Sequence, residues 1–202
     1  MNDGVWTRRL RLILLACGVL LISWRVISES RRSPLDVAES RSAIEQPYQV
    51  LYQAGFDRVR LYLLKTPDEY KTVWCNRDLW GWRGFAIKSV PRTDPESILT
   101  ASYDHFSLDD DPGVTFLAVE VSDTSVSFIE AGPPDDRAKR EVPEDGMVFF
   151  LWQGRRLQDY ELAPLALSAI GETLYQYEQR PVNGAITFPG SLKWWEPENA
   201  AC

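Results

Sequence analysis

The pattern of apolar and polar positions changes near residue 48, separating a helical beginning from a β-rich remainder. Leu12 to Trp24 (LILLACGVLLISW) runs 13 residues without a charge. As a helix that is about 20 Å, short of the ~30 Å hydrocarbon core of a bilayer. Widening the run to Leu10–Ile27 gives 18 residues. Such a helix reaches about 27 Å if Arg11 and Arg25 snorkel at its edges, and Trp6 and Trp24 flank it as interfacial aromatics do. We read residues 10–27 as a single-pass transmembrane anchor and 1–9 as a cytoplasmic head. A cleaved signal competes with this reading, but no small-x-small site closes the run. Leu14-Leu15-Ala16-Cys17 has the form of a lipoprotein signal, yet a cut before Cys17 would fall in the middle of the apolar run. Three arginines lie on each side, so the short head and the long acidic remainder set the orientation: N-terminus inside, C-terminal part outside. Residues 28–47 read as a polar stalk holding one short helix, with Ser33 as N-cap, Pro34 at its first position and Pro47 ending it.

From Tyr48 onward the period falls to two. YQVLYQA (48–54) and RVRLYLLK (58–65) flank Gly55-Phe56-Asp57 and predict a β-hairpin. YKTVWCN (70–76) predicts a strand, and FAIKSV (85–90) a short one set among turns over 77–95. Residues 95–112 are open to a helix or a strand. GVTFLAVEV (113–121) is apolar on both alternations, as in a strand covered on two sides. VSFIEA (126–131) follows the SDTS turn. AKREV (138–142) and MVFFLWQ (147–153) around Pro143-Glu144-Asp145-Gly146 predict a hairpin. ELAPLALSA (161–169) and ETLYQYE (172–178) around Ile170-Gly171 predict another, and AITF (185–188) a last strand in an irregular tail. Strands every 8–12 residues or so indicate a mainly β, antiparallel sandwich or open barrel. We take 48–202 as a single β-rich extracytoplasmic domain with Leu117 and Phe149 in its core.

Charge narrows the partners. Residues 1–32 carry six arginines against Asp3 and Glu29, whereas residues 33–202 hold 16 basic and 27 acidic groups. An acidic module lacks the basic face that replaces phosphate counterions, so no nucleic-acid partner is expected. The expected partners are the lipid bilayer, through the N-terminal helix, and a cell-wall glycan or another envelope protein.

Candidate chemistry is sparse. His105 is the single histidine, and Asp104, adjacent on a strand, points to the other face and cannot orient it as in a triad. No G-x-S-x-G, phosphate-binding loop, H-E-x-x-H or paired-cysteine signature occurs. Asp109-Asp110-Asp111 fails as a calcium loop, because positions six to eleven are the apolar VTFLAV. We expect no catalytic residue, metal or cofactor. Two readings of the cysteines stand. Cys75 and Cys202 pair, closing a long loop and contributing about 4–5 kcal/mol, or Cys75 is a small buried hydrophobe and Cys202 a frayed end. The most distinctive cluster is Asp78-Leu79-Trp80-Gly81-Trp82-Arg83-Gly84. We expect Trp80 and Trp82 to part, Trp80 packed inward and Trp82 outward, with Gly81 permitting a bulge. Trp194-Trp195 is the second candidate, either a plug on the core or an exposed patch. These four tryptophans are the candidate ligand-binding residues, since exposed indole faces stack on sugars.

IEQPYQVLYQ, LWGWRG, GVTFLAVEVSDTSVSFIEAG and LAPLALSAIGETLYQYE, taken together over roughly 45–178, resemble small membrane-anchored proteins of Gram-positive spore-forming bacteria. In these a strand hairpin leads to an aromatic-Gly-Trp motif, a strand pair and a closing hairpin. The closing hairpin departs from that pattern, since Ser168-Ala169-Ile170-Gly171 has no Asp before the turn. The resemblance implies an extracytoplasmic β module with no established activity. The expected function is accordingly a membrane-anchored binding or structural module. The alternative is a carboxylate-dependent hydrolase of an envelope glycan, for which 27 acidic residues leave pairs open.

Overall fold

A computed structural model describes residues 14–20, 23–24, 33–41, 44, 46–79, 81–92, 97–107, 113–179 and 192–197. The protein is mainly β, with antiparallel sheets that do not close into a barrel. The chain divides into two compact units: Met1–Thr66 with Thr72–Ile87, and Pro67–Lys71 with Lys88–Cys202.

In the first unit, residues 14–20 and 23–24 are helical. Among the described residues no helix is long and apolar enough to cross a membrane. The expected stalk helix is α1 (Pro34–Arg41). Ser33 caps it, its Oγ accepting from Asp36 N at 3.1 Å while its own N–H donates to the Asp36 carboxylate at 3.0 Å. Strands β1 (Gln49–Phe56), β2 (Val59–Lys65), β3 (Glu69–Asp78) and β4 (Gly81–Pro91) form one sheet in chain order, of which residues 69–71 and 88–91 are counted with the second unit. The predicted hairpin is β1–β2, with Phe56 opposite Val59 and Asp57 taking a left-handed φ of 38° at the turn. β4 is longer than expected, beginning at Gly81 rather than residue 85. One sheet face carries Tyr62, Leu64, Val73 and Cys75 and packs against Ala38 and Leu35 of α1, with Ile44, Tyr48 and Trp82 alongside. α1 therefore packs as part of the folded unit.

In the second unit, β5 (Ile98–Phe106), β6 (Val114–Val121) and β9 (Met147–Gln153) form a three-stranded sheet. The open region 95–112 thus supplies a strand where it is described, because β6 is apolar on both faces and needs a partner at each edge. The second sheet has the order β12-β11-β10-β7-β8, with β7 (Phe128–Ala131), β8 (Ala138–Glu141), β10 (Leu165–Leu167), β11 (Thr173–Gln179) and β12 (Leu192–Trp195). A single apolar cluster joins the two sheets: Leu117, Val119, Val148, Phe150 and Trp152 from one meet Ile129, Ala131 and Ala166 from the other. The short α2 (Asp159–Leu162) adds Leu162 to that cluster.

One predicted hairpin is not formed. β8 pairs with β7 and β9 with β6, so Pro143–Gly146 carries the chain from one sheet to the other. The reason lies in composition. β9 must lay Val148, Phe150 and Trp152 beside an apolar strand, and β6 offers Val119, Leu117 and Thr115 in register. β8, with Lys139, Arg140 and Glu141 exposed, stays as a charged edge.

Candidate functional site

β12 separates the tryptophan pair by strand alternation. Trp194, opposite Tyr177, turns inward: it packs against the apolar cluster, its ring lies 5.5 Å from that of Tyr177, and its indole N–H donates to Thr100 Oγ1 at 3.1 Å. Trp195 points to the other side. Register across the sheet sets it in one row with Gln176, Leu165, Glu130 and Lys139. All of these are partly or fully exposed, and the Trp195 indole N–H donates to Glu178 O at 3.3 Å. The next outward positions add Phe128, with the Lys139 ammonium 4.2 Å from its ring centre. This outer face therefore combines a half-exposed indole with amide, carboxylate and ammonium groups, the set of stacking surface and hydrogen-bonding groups that a sugar needs.

Arg137 firms the same sheet from its edge. Its guanidinium binds Glu130 and donates to Gly132 O at 3.0 Å and Ala163 O at 2.8 Å, joining β7, the following turn and the end of α2. Sequence reasoning missed this residue, since its three acceptors are brought together only by folding.

A second feature is a cleft of ≈ 370 Å³ between the two crossovers, lined among others by Ser122, Asp123, Glu144 and Asp145. Asp123 accepts from Ser125 N (2.8 Å), Ser125 Oγ (2.7 Å) and Tyr175 OH (2.8 Å), and these donors hold its carboxyl below the usual range.

The other candidates fall elsewhere. Trp82, expected outward, packs half-buried against the first unit's cluster, with the Arg60 and Arg77 guanidiniums 5.2 and 5.8 Å from its ring centre. Trp80 lies outside the described residues. Residues two apart share a face in a regular strand, so alternation does not by itself part these two rings. Cys75 is fully buried, its Sγ–H donating to Pro34 O at 3.3 Å, and burial pushes its thiol up to about 11. Cys202 and Asp109-Asp110-Asp111 lie outside the described residues. His105 is half-buried and shifted below the ordinary histidine range, first by burial and then by Arg156. Asp104 accepts from the backbone N–H of His105 at 2.9 Å.

No protein-family model, curated protein or solved structure matches this chain.

Proposed function

We propose that this chain is a membrane-anchored, extracytoplasmic binding or structural module of the cell envelope. It is held by residues 10–27, with residues 1–9 inside, and presents its β-rich units outside. What carries the reading is the apolar helix: Leu14, Leu15, Val19 and Leu20 are all exposed, and at 100° per residue they spread around the axis, with Trp24 exposed as well. A helix that is apolar all round and uncovered by its own protein is stable in lipid, not in water. The likeness to membrane-anchored proteins of spore-forming bacteria points the same way. The ligand-binding role falls to Trp195 and its row, because Trp194 and Trp82 are occupied in packing. The proposed ligand is a cell-wall glycan.

A second reading, a carboxylate-dependent glycan hydrolase, is favoured by one observation, the gathering of Asp123, Glu144 and Asp145 along one cleft. It requires a carboxyl held protonated as general acid, and Asp123 is shifted the opposite way.

The test has two parts. Full-length protein should stay with membranes through a high-salt wash, and external protease should cut after about Arg32. Trp195→Ala should keep the melting temperature and lose retention on isolated cell wall. A full chain that is soluble after lysis sinks the anchor. Unchanged wall retention by the variant sinks the glycan surface, and release of sugar by the wild type that Glu144→Gln abolishes establishes the hydrolase.

A further inference from the structure

We propose that the hairpin end of the first unit's sheet docks on the anionic surface of the bilayer that holds residues 10–27, so that the chain meets the membrane twice. The inference rests on the anchor reading and adds an electrostatic contact to it.

In the order β1-β2-β3-β4, the β1–β2 and β3–β4 turns lie at the same end of the sheet, and Arg77 N donates to Arg58 O at 2.7 Å, tying them side by side. At that end Leu79 is 96 % exposed. A single exposed leucine means little, but this end of the sheet also carries Arg58, Arg60, Arg77 and Arg83. Arg83 pairs with Asp78 at 2.6 Å, and Arg58 lies 3.9 Å from Asp57, its side chain 73 % exposed. Arg60 and Arg77 are held over Trp82 instead. Gly55 makes room for the first of these, since a Cβ there would come within 3.0 Å of the Arg60 guanidinium. Four arginines against two aspartates thus occupy this end of the sheet. An anionic lipid surface attracts this end. An exposed apolar side chain on a turn beside arginines is the composition of a segment that seats at the headgroup boundary.

The tether brings this end within reach. The chain enters α1 at Pro34, whose carbonyl meets Cys75 on β3. Cys75 is four residues before Leu79, or about 13 Å along a strand. From Ile27 to Pro34 the chain spans at most about 25 Å. It also carries Arg31 and Arg32, which an anionic surface draws toward itself.

The experiment uses the full chain with Cys17→Ser, Cys202→Ser and Leu79→Cys, the last carrying a polarity-sensitive fluorophore. The chain is reconstituted in phosphatidylcholine vesicles with and without phosphatidylglycerol. Docking predicts a blue shift of the label only with phosphatidylglycerol, lost at high salt and in Arg58→Glu/Arg77→Glu, while the chain floats with both vesicle types. Arg58→Glu alone, at a mostly solvated side chain, should weaken the shift and serves if the double variant does not fold. Identical emission on both lipids from a chain that floats with both overturns the docking and leaves the anchor standing. A chain that floats with neither overturns both. Flotation with phosphatidylglycerol alone, reversed by salt, overturns the anchor and with it the two-point contact.

Discussion

Adjacent side chains at one place in the second unit have opposite roles, and Trp194 and Trp195 show how far a residue's identity constrains its part. Both are indoles on β12, yet one donates to Thr100 inside and the other lies on the outer face. Trp194→Ala should cost about 2–3 kcal/mol, combining lost apolar contact with an orphaned hydroxyl partner. Trp195→Ala should cost under about 1 kcal/mol. Urea denaturation of both variants checks the inequality, and equal costs would contradict the alternation. The same residue scale corrects an expectation about the core. Leu117 is buried as expected, at 1 % exposure, but Phe149 is half-buried and stacks on Phe116 with ring centres 6.4 Å apart. Apolar identity marked both, and only the register of β6 with β9 told them apart.

At the scale of elements, the turn glycines look alike in sequence and differ in what surrounds them. Gly146 and Gly171 both take a left-handed φ, 72° and 86°. A Cβ at Gly146 would sit 2.5 Å from Val121 O, whereas one at Gly171 would meet nothing within 4 Å. Gly171→Ala should therefore cost about 1–2 kcal/mol, the penalty of the backbone conformation alone. Gly146→Ala should cost distinctly more, since Val121 N also bonds Gly146 O at 2.9 Å and the crossover cannot shift freely. Thermal melts of the two variants measure the difference. Pro-Glu-Asp-Gly was legible as a turn but not as a crossing between sheets. A turn motif specifies local dihedrals, while the choice of strand partner depends on which apolar faces must meet.

Across the second unit, Asp123 ties the β6–β7 crossover to β11 through Tyr175, and this sets a pH dependence. Its folded carboxyl titrates below the unfolded value of about 3.9. The stability it contributes is present above that value and is lost as pH falls through the folded one. Asp123→Asn should therefore lower stability at about pH 7, and its gap from wild type should narrow as the pH is lowered through the acid range, as read by denaturant midpoints. A gap that persists in acid would place the effect in packing instead. Tyr175→Phe should act in the same direction, because it removes one of the donors that favour the ionised form. The sequence by itself determined the alternation, and with it the β class, the hairpins at Gly55 and Gly171 and the short helix after Ser33. Each of these depends on dihedrals and side-chain direction within a few residues. Only the tertiary structure decided that β9 leaves β8 for β6, that Trp82 turns inward beneath two arginines, that α1 covers the first sheet, and that Arg137 collects three distant acceptors. Those outcomes are set by competition among surfaces far apart in the chain, and local pattern carries no record of which partner wins.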